Sequence, residues 1–296
     1  MYFRAYYGVP ESMTAPDGMP VNAVRGFLDA IARLVTEYRP QQLVATFDAD
    51  WRPQFRVDLL PEYKAQRVAA DGDEEVPDTL SPQVPVIQAI LDAIGITRCE
   101  LAGFEADDVL GSLAAQAPGP VDVVSGDRDL FQLVDDAQGV RVLYIARGLA
   151  KLEVLDEAAV LAKFGVPARH YADFAALRGD PSDGLPGVRG IGDKSAAALV
   201  QQFGTVEDLL AAVSDPDADV PHRAKLEPAR DYLTVAPRVV RVRRDLVLGL
   251  DFDAAAAPFT GELADAGALQ MLVDRYGVKS SVTRLCTALS VAGVSG

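Results

Sequence analysis

Two aspartates stand three residues apart, at Asp180 and Asp183, directly before a glycine-rich turn that opens a helical pattern. A carboxylate pair is suited to hold a divalent cation, because hard cations prefer oxygen ligands. The turn and the helix N-terminus behind it are suited to hold a phosphate, because their backbone N–H groups are free. A metal beside a phosphate-binding backbone is the equipment needed to hydrolyse a phosphodiester.

The turn is similar to a P-loop but does not have its spacing. Walker A requires a Lys directly after the second Gly, whereas Asp193 separates Gly192 from Lys194 and no strand precedes the turn. We therefore expect no binding of nucleoside triphosphates. The better interpretation is a helix–hairpin–helix with its hairpin at 187–192 and helices at 194–203 and 206–213; an ordinary helical turn is the alternative. Short glycine hairpins let backbone N–H groups approach phosphates without reading bases. The residues predicted to contact DNA here are Gly187, Val188, Gly190, Ile191, Gly192, Lys194 and Ser195.

Further carboxylates follow predicted strands or open a predicted helix. Apolar runs at 43–47 and 121–125 predict buried strands, and a helical pattern at 104–116 has three acids in its first turn. With the pair described above, the acids are Asp48, Glu105, Asp107, Asp108, Asp127, Asp129, Asp180 and Asp183. Each alone has an ordinary explanation as a helix cap or loop residue. Gathered at the carboxyl edge of one sheet, where ligands of α/β folds bind, they would repel each other unless Mg²⁺ or Mn²⁺ neutralised them.

The elements that position these acids alternate along the first half of the chain. Helical patterns at 22–38 and at 85–94, the second closed by Gly95, and a third strand at 140–145 complete the alternation. The pattern predicts an α/β fold with a mostly parallel central sheet flanked by helices. From about residue 151 the chain reads as mainly helical. We expect a nuclease core at 1–151, a helix–hairpin–helix region at 152–250 and a tail at 251–296 that packs on the core.

Charge and composition narrow the function classes. The chain has 296 residues and a net charge of −15, but residues 68–139 hold fifteen acids and two bases, so the flanking segments can still face DNA. No run of 18 apolar residues and no signal-peptide pattern is present, so we expect a cytoplasmic protein without membrane contact. Two distant Cys and two His without partner motifs give no support for disulfide, zinc or Ser/His/Asp chemistry.

Six segments in order resemble the bacterial 5′-nuclease family, which includes stand-alone 5′–3′ exonucleases, the 5′-nuclease domain of DNA polymerase I and, more distantly, flap endonucleases. The segments begin at Arg4, Phe47, Tyr63, Gly103, Ser125 and Gly179, and the similarity runs to about residue 250. The resemblance implies a PIN-like core and a structure-selective 5′–3′ exonuclease or flap endonuclease of replication and repair. It also implies two divalent cations about 4 Å apart, with Mg²⁺ or Mn²⁺ as cofactor.

The resemblance assigns roles residue by residue. Four acids, Asp48, Glu105, Asp107 and Asp108, match the first metal cluster, and Asp127, Asp129, Asp180 and Asp183 match the second. Arg4, Lys64 and Arg67 match basic residues that steady the scissile phosphate, and Tyr63 belongs to the same motif and is expected to contact DNA. Lys64 and Arg67 are expected on one face of a helix that arches over the site. In the family the hairpin grips duplex DNA, often with a monovalent cation such as K⁺, and we expect a monomer acting on 5′ ends, flaps or junctions.

Two departures from the family pattern qualify this assignment. Gly184 replaces the usual Asn after the Ser–Asp pair. The family also begins with an apolar strand ending in Asp-Gly, seven residues before the position of Arg4, and this strand and its metal-ligand Asp would fall before Met1. We therefore expect either that Met1 is not the natural start or that catalysis is impaired. The alternative hypotheses are a DNA-junction binding protein with lost catalysis and a related RNase; the hairpin, which suits a duplex, opposes the second.

Overall fold

The computed structural model describes residues 1–70, 72–250 and 262–290. Its first half alternates short strands with helices. Helices α1 to α5 are Tyr2–Gly8, Asn22–Tyr38, Gln54–Leu59, Gln83–Ile94 and Ala106–Gln116. Strands β1 to β5 are Val44–Thr46, Thr97–Cys99, Val121–Ser125, Val140–Tyr144 and Glu153–Leu155. The amphipathic pattern predicted α2 within its observed bounds, and α4 ends at Gly95 in the left-handed conformation, as a helix-terminating glycine does.

The second half is helical, as predicted. Helices α6 to α9 are Glu157–Phe164, Tyr171–Arg178, Asp193–Phe203 and Val206–Ser214. Helices α10 to α13 are Arg223–Leu226, Arg230–Val240, Ala266–Tyr276 and Lys279–Leu289. Side chains of Asp156, Thr205 and Asp265 accept backbone N–H groups at the start of α6, α9 and α12, which fixes where these helices begin.

The α/β class with parallel strands is confirmed, but the described strands form two short sheets. In one, β1 pairs in parallel with β2, with Val44 opposite Thr97. In the other, β3 pairs in parallel with β4, Val121 opposite Val140, and β4 pairs antiparallel with β5. Helix α5 packs against both β1 and β3 and so joins the two sheets.

Two large apolar cores lie between these helices and strands. One lies among α2, α4, α12 and α13 and includes Leu28, Ile87, Ile90 and Leu285, all fully buried. The other lies between the three-stranded sheet and the helices from α6 to α11 and is built around Phe131, Tyr171 and Phe174. Helices α12 and α13 thus pack on the N-terminal region, while residues 251–261 of the expected tail lie outside the described residues. None of the described helices combines the length and apolarity that crossing a membrane requires.

Candidate active site

Loops at the carboxyl ends of β1 and β3 meet at the N-terminus of α5. Asp48, just after β1, accepts the backbone N–H of Ala106 at 2.7 Å. Asp127, just after β3, lies near enough to Asp107 that its charge contributes to a raised pKa of Asp107; burial is the larger cause. The parallel-sheet argument thus correctly brought Asp48, Asp107 and Asp127 to one place.

Asp129 lies beside these acids and is buried, at 9% exposure. Burial raises its pKa well above the usual value, and the charges of Asp127 and Asp183 raise it further. Its backbone N–H donates to Asp127 at 2.8 Å, yet its own Oδ1 is buried and finds no hydrogen-bond partner in the described part of the chain. A buried carboxylate oxygen without a partner, among other carboxylates, fits a cation ligand.

The acids do not form a ready-made metal site. Within residues 1–70, 72–250 and 262–290, no three His, Cys, Asp or Glu side chains are grouped closely enough to hold an ion. We call the surface formed by Asp48, Asp107, Asp127, Asp129, Asp180 and Asp183 the acidic cleft. Its members interact through charge, and basic side chains neutralise part of it.

Asp180 directly precedes a single 3₁₀ turn, Pro181–Asp183, and Asp183 is its last residue. Asp180 caps this turn by accepting the Ser182 backbone N–H at 3.0 Å, and it also pairs with Arg128 at 3.2 Å. Asp183 pairs with Arg67 at 2.8 Å, and burial raises its pKa while Lys64 opposes the rise. The two acids lie in the cleft as predicted, each with a cationic partner.

Asp108 belongs to a buried ion pair, which argues against its predicted role as a metal ligand. It is fully buried and accepts from Arg56 Nη1 at 2.6 Å, from Arg56 Nη2 at 2.7 Å and from the Arg243 backbone N–H at 2.9 Å. Both of its oxygens are therefore engaged by Arg56 and by the backbone at Arg243. Asp107 and Asp108 are neighbours in sequence, but the helix turns them to different surroundings.

Glu105 borders the acidic cleft with both carboxylate oxygens already bonded. Its Oε2 accepts from Arg56 at 2.7 Å and from the Tyr63 hydroxyl at 2.8 Å, and its Oε1 pairs with the Lys64 ammonium. Glu105 also forms a reciprocal capping box with Asp108 at the start of α5. Glu105 and Asp108 share a face as predicted, and Arg56 binds both carboxylates there.

The predicted arch helix is absent from the described residues around Lys64 and Arg67. Lys64 has a left-handed backbone with φ of 50°, and only a 3₁₀ turn, Ala65–Arg67, follows. The two side chains still reach the site, because Lys64 forms an ion pair with Glu105 and Arg67 forms one with Asp183. Tyr63 is 4% exposed and directs its hydroxyl to Glu105, so its predicted DNA contact is corrected to a core position.

Arg4 lies beside the cleft but bonds to backbone. Its guanidinium donates to the Gly126 carbonyl at 3.3 Å and to the Ala146 carbonyl, at the ends of β3 and β4. A Cβ atom at position 126 would collide with the Arg4 side chain, so this glycine makes room for it. Arg4 thus ties α1 to the sheet edge next to Asp127.

The glycine hairpin is present, and its residues divide into two groups. Val188 and Ile191 are buried at 3% and 4% exposure, and the Gly187 N–H donates to the Tyr232 hydroxyl at 3.2 Å. These three positions serve packing, which argues against the DNA contacts predicted for them. The remaining predicted positions are exposed or half-buried around the N-terminus of α8: Gly190, Gly192, Lys194 and Ser195. The first N–H groups of that helix have no intrahelical acceptor and are suited to a phosphate.

Arg56 is the site residue that sequence reasoning missed. It is 2% exposed, and besides the two acids it donates to the Val239 carbonyl at 2.9 Å, at the end of α11. Burial acts to lower its pKa, but the hydrogen bonds and charges of Asp108 and Glu105 outweigh burial and raise it. An arginine on a short helix gives no sequence signal that two acids about fifty residues later will bury it.

Comparisons with known proteins agree with this geometry. A family model described as the 5′–3′ exonuclease N-terminal resolvase-like domain matches residues 1–165, and one described as the 5′–3′ exonuclease C-terminal SAM fold matches residues 166–260. A Streptomyces coelicolor protein named 5′–3′ exonuclease is 57% identical over 98% of this chain and 97% of its own length. A Mycobacterium tuberculosis protein of the same name is 50% identical over 98% and 95%.

More distant matches follow the same fold. DNA polymerase I of Mycobacterium bovis is 42% identical over 70% of this chain, which corresponds to 22% of the polymerase. The structure of T5 D15 protein co-crystallised with metal ions superposes with a TM-score of 0.58 at 16% identity, covering 90% of this chain and 88% of the other. The catalytic core of Rad2 in complex with DNA substrate gives 0.56 at 17% identity, covering 90% and 84%.

Proposed function

This chain belongs to the 5′–3′ exonuclease family, and from that premise we propose that it hydrolyses DNA phosphodiesters at the acidic cleft, at 5′ ends and 5′ flaps, in replication and repair. One observation supports the location above all: the buried Asp129 Oδ1 without a partner, crowded by Asp127 and Asp183. A bound cation would satisfy that oxygen and relieve the repulsion at the same time.

The residues proposed to hold two or more Mg²⁺ or Mn²⁺ ions follow from their surroundings. Asp48 and Asp107 are proposed for one ion, with Glu105 beside them. Asp127, Asp129, Asp180 and Asp183 are proposed for the other. Such ions, when bound, polarise the phosphate and lower the pKa of the attacking water. Carboxylate oxygens favour these hard cations over thiolate-preferring metals.

The chain's own bases complete the proposed site. Lys64 and Arg67 pair with Glu105 and Asp183 across the cleft, and we propose that both cations contact the scissile phosphate. Once other cations neutralise the acids, these donors are free to stabilise negative charge that develops at the phosphate. The exposed N–H groups at Gly192 and Lys194 are proposed to hold the duplex backbone.

The K⁺ ion expected at the hairpin from the family resemblance is not part of the proposal, because of one contact. The Lys225 ammonium donates to the Gly190 carbonyl at 2.9 Å. A built-in cation therefore already occupies a carbonyl of the hairpin. We propose that duplex binding needs no K⁺ while Lys225 is present.

The test is cleavage of 5′-labelled nicked and flapped duplexes with and without Mg²⁺. We expect cleavage that EDTA abolishes and that Asp127→Asn with Asp129→Asn reduces by at least about a hundredfold. A matched control, Asp217→Asn with Asp219→Asn, makes the same charge change on an exposed remote loop and should cleave normally. Cleavage that survives EDTA or the cleft variant contradicts the proposal.

A further inference from the structure

The segment after α3 folds back as a small closed unit, residues 62–70 and 72–78, which we call the latch. Its first limb includes the 3₁₀ turn Ala65–Arg67, and a β-bridge joins Val68 to Glu74 on the returning limb. Backbone bonds close it further: the Ala69 N–H donates to Asp73 at 2.8 Å, and the Glu75 N–H donates to Arg67 at 2.7 Å. The latch is therefore a tight hairpin without the span of a helical arch.

The latch crosses the acidic cleft and is fastened on its far side. The Lys64 N–H donates to the Asp183 carbonyl at 3.0 Å. Both Gln66 Nε2 and Arg67 Nη2 donate to the Ser182 carbonyl at 2.7 Å. On the near side, Tyr63 and Lys64 bond to Glu105. The latch therefore spans the cleft from Glu105 to residues 182 and 183.

The backbone of the latch packs directly against Gly184. Its backbone is left-handed, with φ of +75°, and a Cβ atom there would collide with the Glu62 carbonyl oxygen. The space that a side chain would fill is thus taken by the backbone of the latch. Any larger residue at 184 must push the latch away from residues 181–184.

The outer part of the latch is acidic. From residue 68 to residue 97 the chain has no Lys or Arg, while residues 72–78 include four acids. Glu74 lies 3.9 Å from Arg67 and partly neutralises the last base before that stretch. Glu75 and Asp78 are exposed. A single strand with one phosphate per nucleotide meets repulsion along this path.

We propose that the latch makes this chain select nicks, recessed 5′ ends and the shortest flaps over long single-stranded 5′ flaps. This inference rests on the proposed function and names its substrate class. At a nick, the 5′ end carries no single strand that would have to cross the latch. A long flap can enter only if the latch opens, and its phosphates then lie beside the acids of the latch. The chain is then chiefly an exonuclease.

The test compares cleavage rates on a nicked duplex and on the same duplex with a long 5′ flap. We expect the wild-type chain to cut the nick about tenfold faster. Glu75→Gln with Asp78→Asn should raise the flap rate about fivefold at low salt, an effect that fades as the Debye length falls. The nick rate should stay the same. Asp217→Asn with Asp219→Asn is the charge control.

Gly184→Asn tests the contact between the latch and residue 184 independently of charge. It should raise the flap-to-nick ratio at all salt concentrations, because it opens the latch sterically. Gly277→Asn is the matched control: its backbone is also left-handed, but its added Cβ makes only an ordinary 3.6 Å contact. Melting curves confirm that each variant is folded. Equal wild-type rates on both substrates, or a ratio that neither variant changes, overturn the inference.

Binding separates this inference from the proposed function. Fluorescence anisotropy in EDTA measures nick and flap affinities without cleavage. If no substrate is cut in Mg²⁺, the proposed function fails, but a preference for the nick that the two latch variants remove still supports the latch. Equal affinities that the variants leave unchanged refute the latch whatever the cleavage result.

Discussion

Two neighbouring aspartates should respond in opposite ways to the same substitution. Asp108→Asn removes the charge from a fully buried carboxylate that accepts four hydrogen bonds, two of them from Arg56 at 2.6 and 2.7 Å. The Arg56 guanidinium is then left in the interior with Glu105 as its remaining acidic partner. Breaking a buried pair in this way costs about 3–5 kcal/mol. At about 2–4 °C per kcal/mol, the melting temperature should fall by about 10 °C.

Asp107→Asn should instead leave the metal-free protein as stable as the wild type or stabilise it. Burial and the charges of Asp127 and Glu105 raise the pKa of Asp107, so its ionised form is disfavoured where it stands. A neutral amide removes that repulsion. In Mg²⁺ the order reverses, because Asp107 is a proposed ligand: its variant should need more Mg²⁺ for cleavage, while folded Asp108→Asn should need the usual amount.

The assay is thermal melting in EDTA, followed by the Mg²⁺ concentration at half-maximal cleavage for each variant. Arg56→Met should mimic Asp108→Asn, and the double variant should be less destabilised than the sum of the singles, because the two residues form one unit. An Asp108→Asn protein that melts like the wild type but needs more Mg²⁺ would show that Asp108 is a metal ligand and that this reasoning is wrong.

Three further predictions concern the bases and the hairpin. Lys64→Ala or Arg67→Ala should slow cleavage by about 3 kcal/mol of transition-state stabilisation while changing duplex affinity little; equal losses in rate and affinity would indicate a docking role. Gly192→Ala should weaken duplex binding without lowering the melting temperature, because nothing lies within 4 Å of its added Cβ. Gly187→Ala should instead destabilise the fold, since its Cβ would lie 2.5 Å from the carbonyl oxygen of Arg178. The reverse pattern contradicts the division of the hairpin residues into a packing group and a DNA-contacting group. Lys225→Met should make duplex binding depend on K⁺, and anisotropy that is equally insensitive to K⁺ in both proteins would refute the built-in cation.

Local patterns predicted the elements well where one physical rule dominates. The apolar spacing of 22–38 gave α2 within its bounds, and the β-branched run at 121–125 gave β3. The first turn of α5 was recognised from its acids, which form a capping box there. Such elements are determined by neighbours in sequence, so the sequence displays them.

The corrections arise where distant residues decide the structure. Asp108 looks like a metal ligand until Arg56 and Arg243 approach it from segments 52 and 135 residues away. Lys64 and Arg67 have helical spacing, but ion pairs across the cleft and the bridge between Val68 and Glu74 hold a hairpin there instead. Burial by remote partners has no local pattern, and sequence reasoning from one chain cannot anticipate it.

Cation binding at the acidic cleft is the central claim, and the melting temperature in Mn²⁺ tests it most directly. An ion at a hundred times its Kd adds about 2.7 kcal/mol of stability, which corresponds to a rise of about 5–10 °C. We predict this rise for the wild type and for the Asp217→Asn, Asp219→Asn control, and little or none for Asp127→Asn with Asp129→Asn. An equal rise in all three proteins, or no rise in any, would contradict the assignment of the cleft.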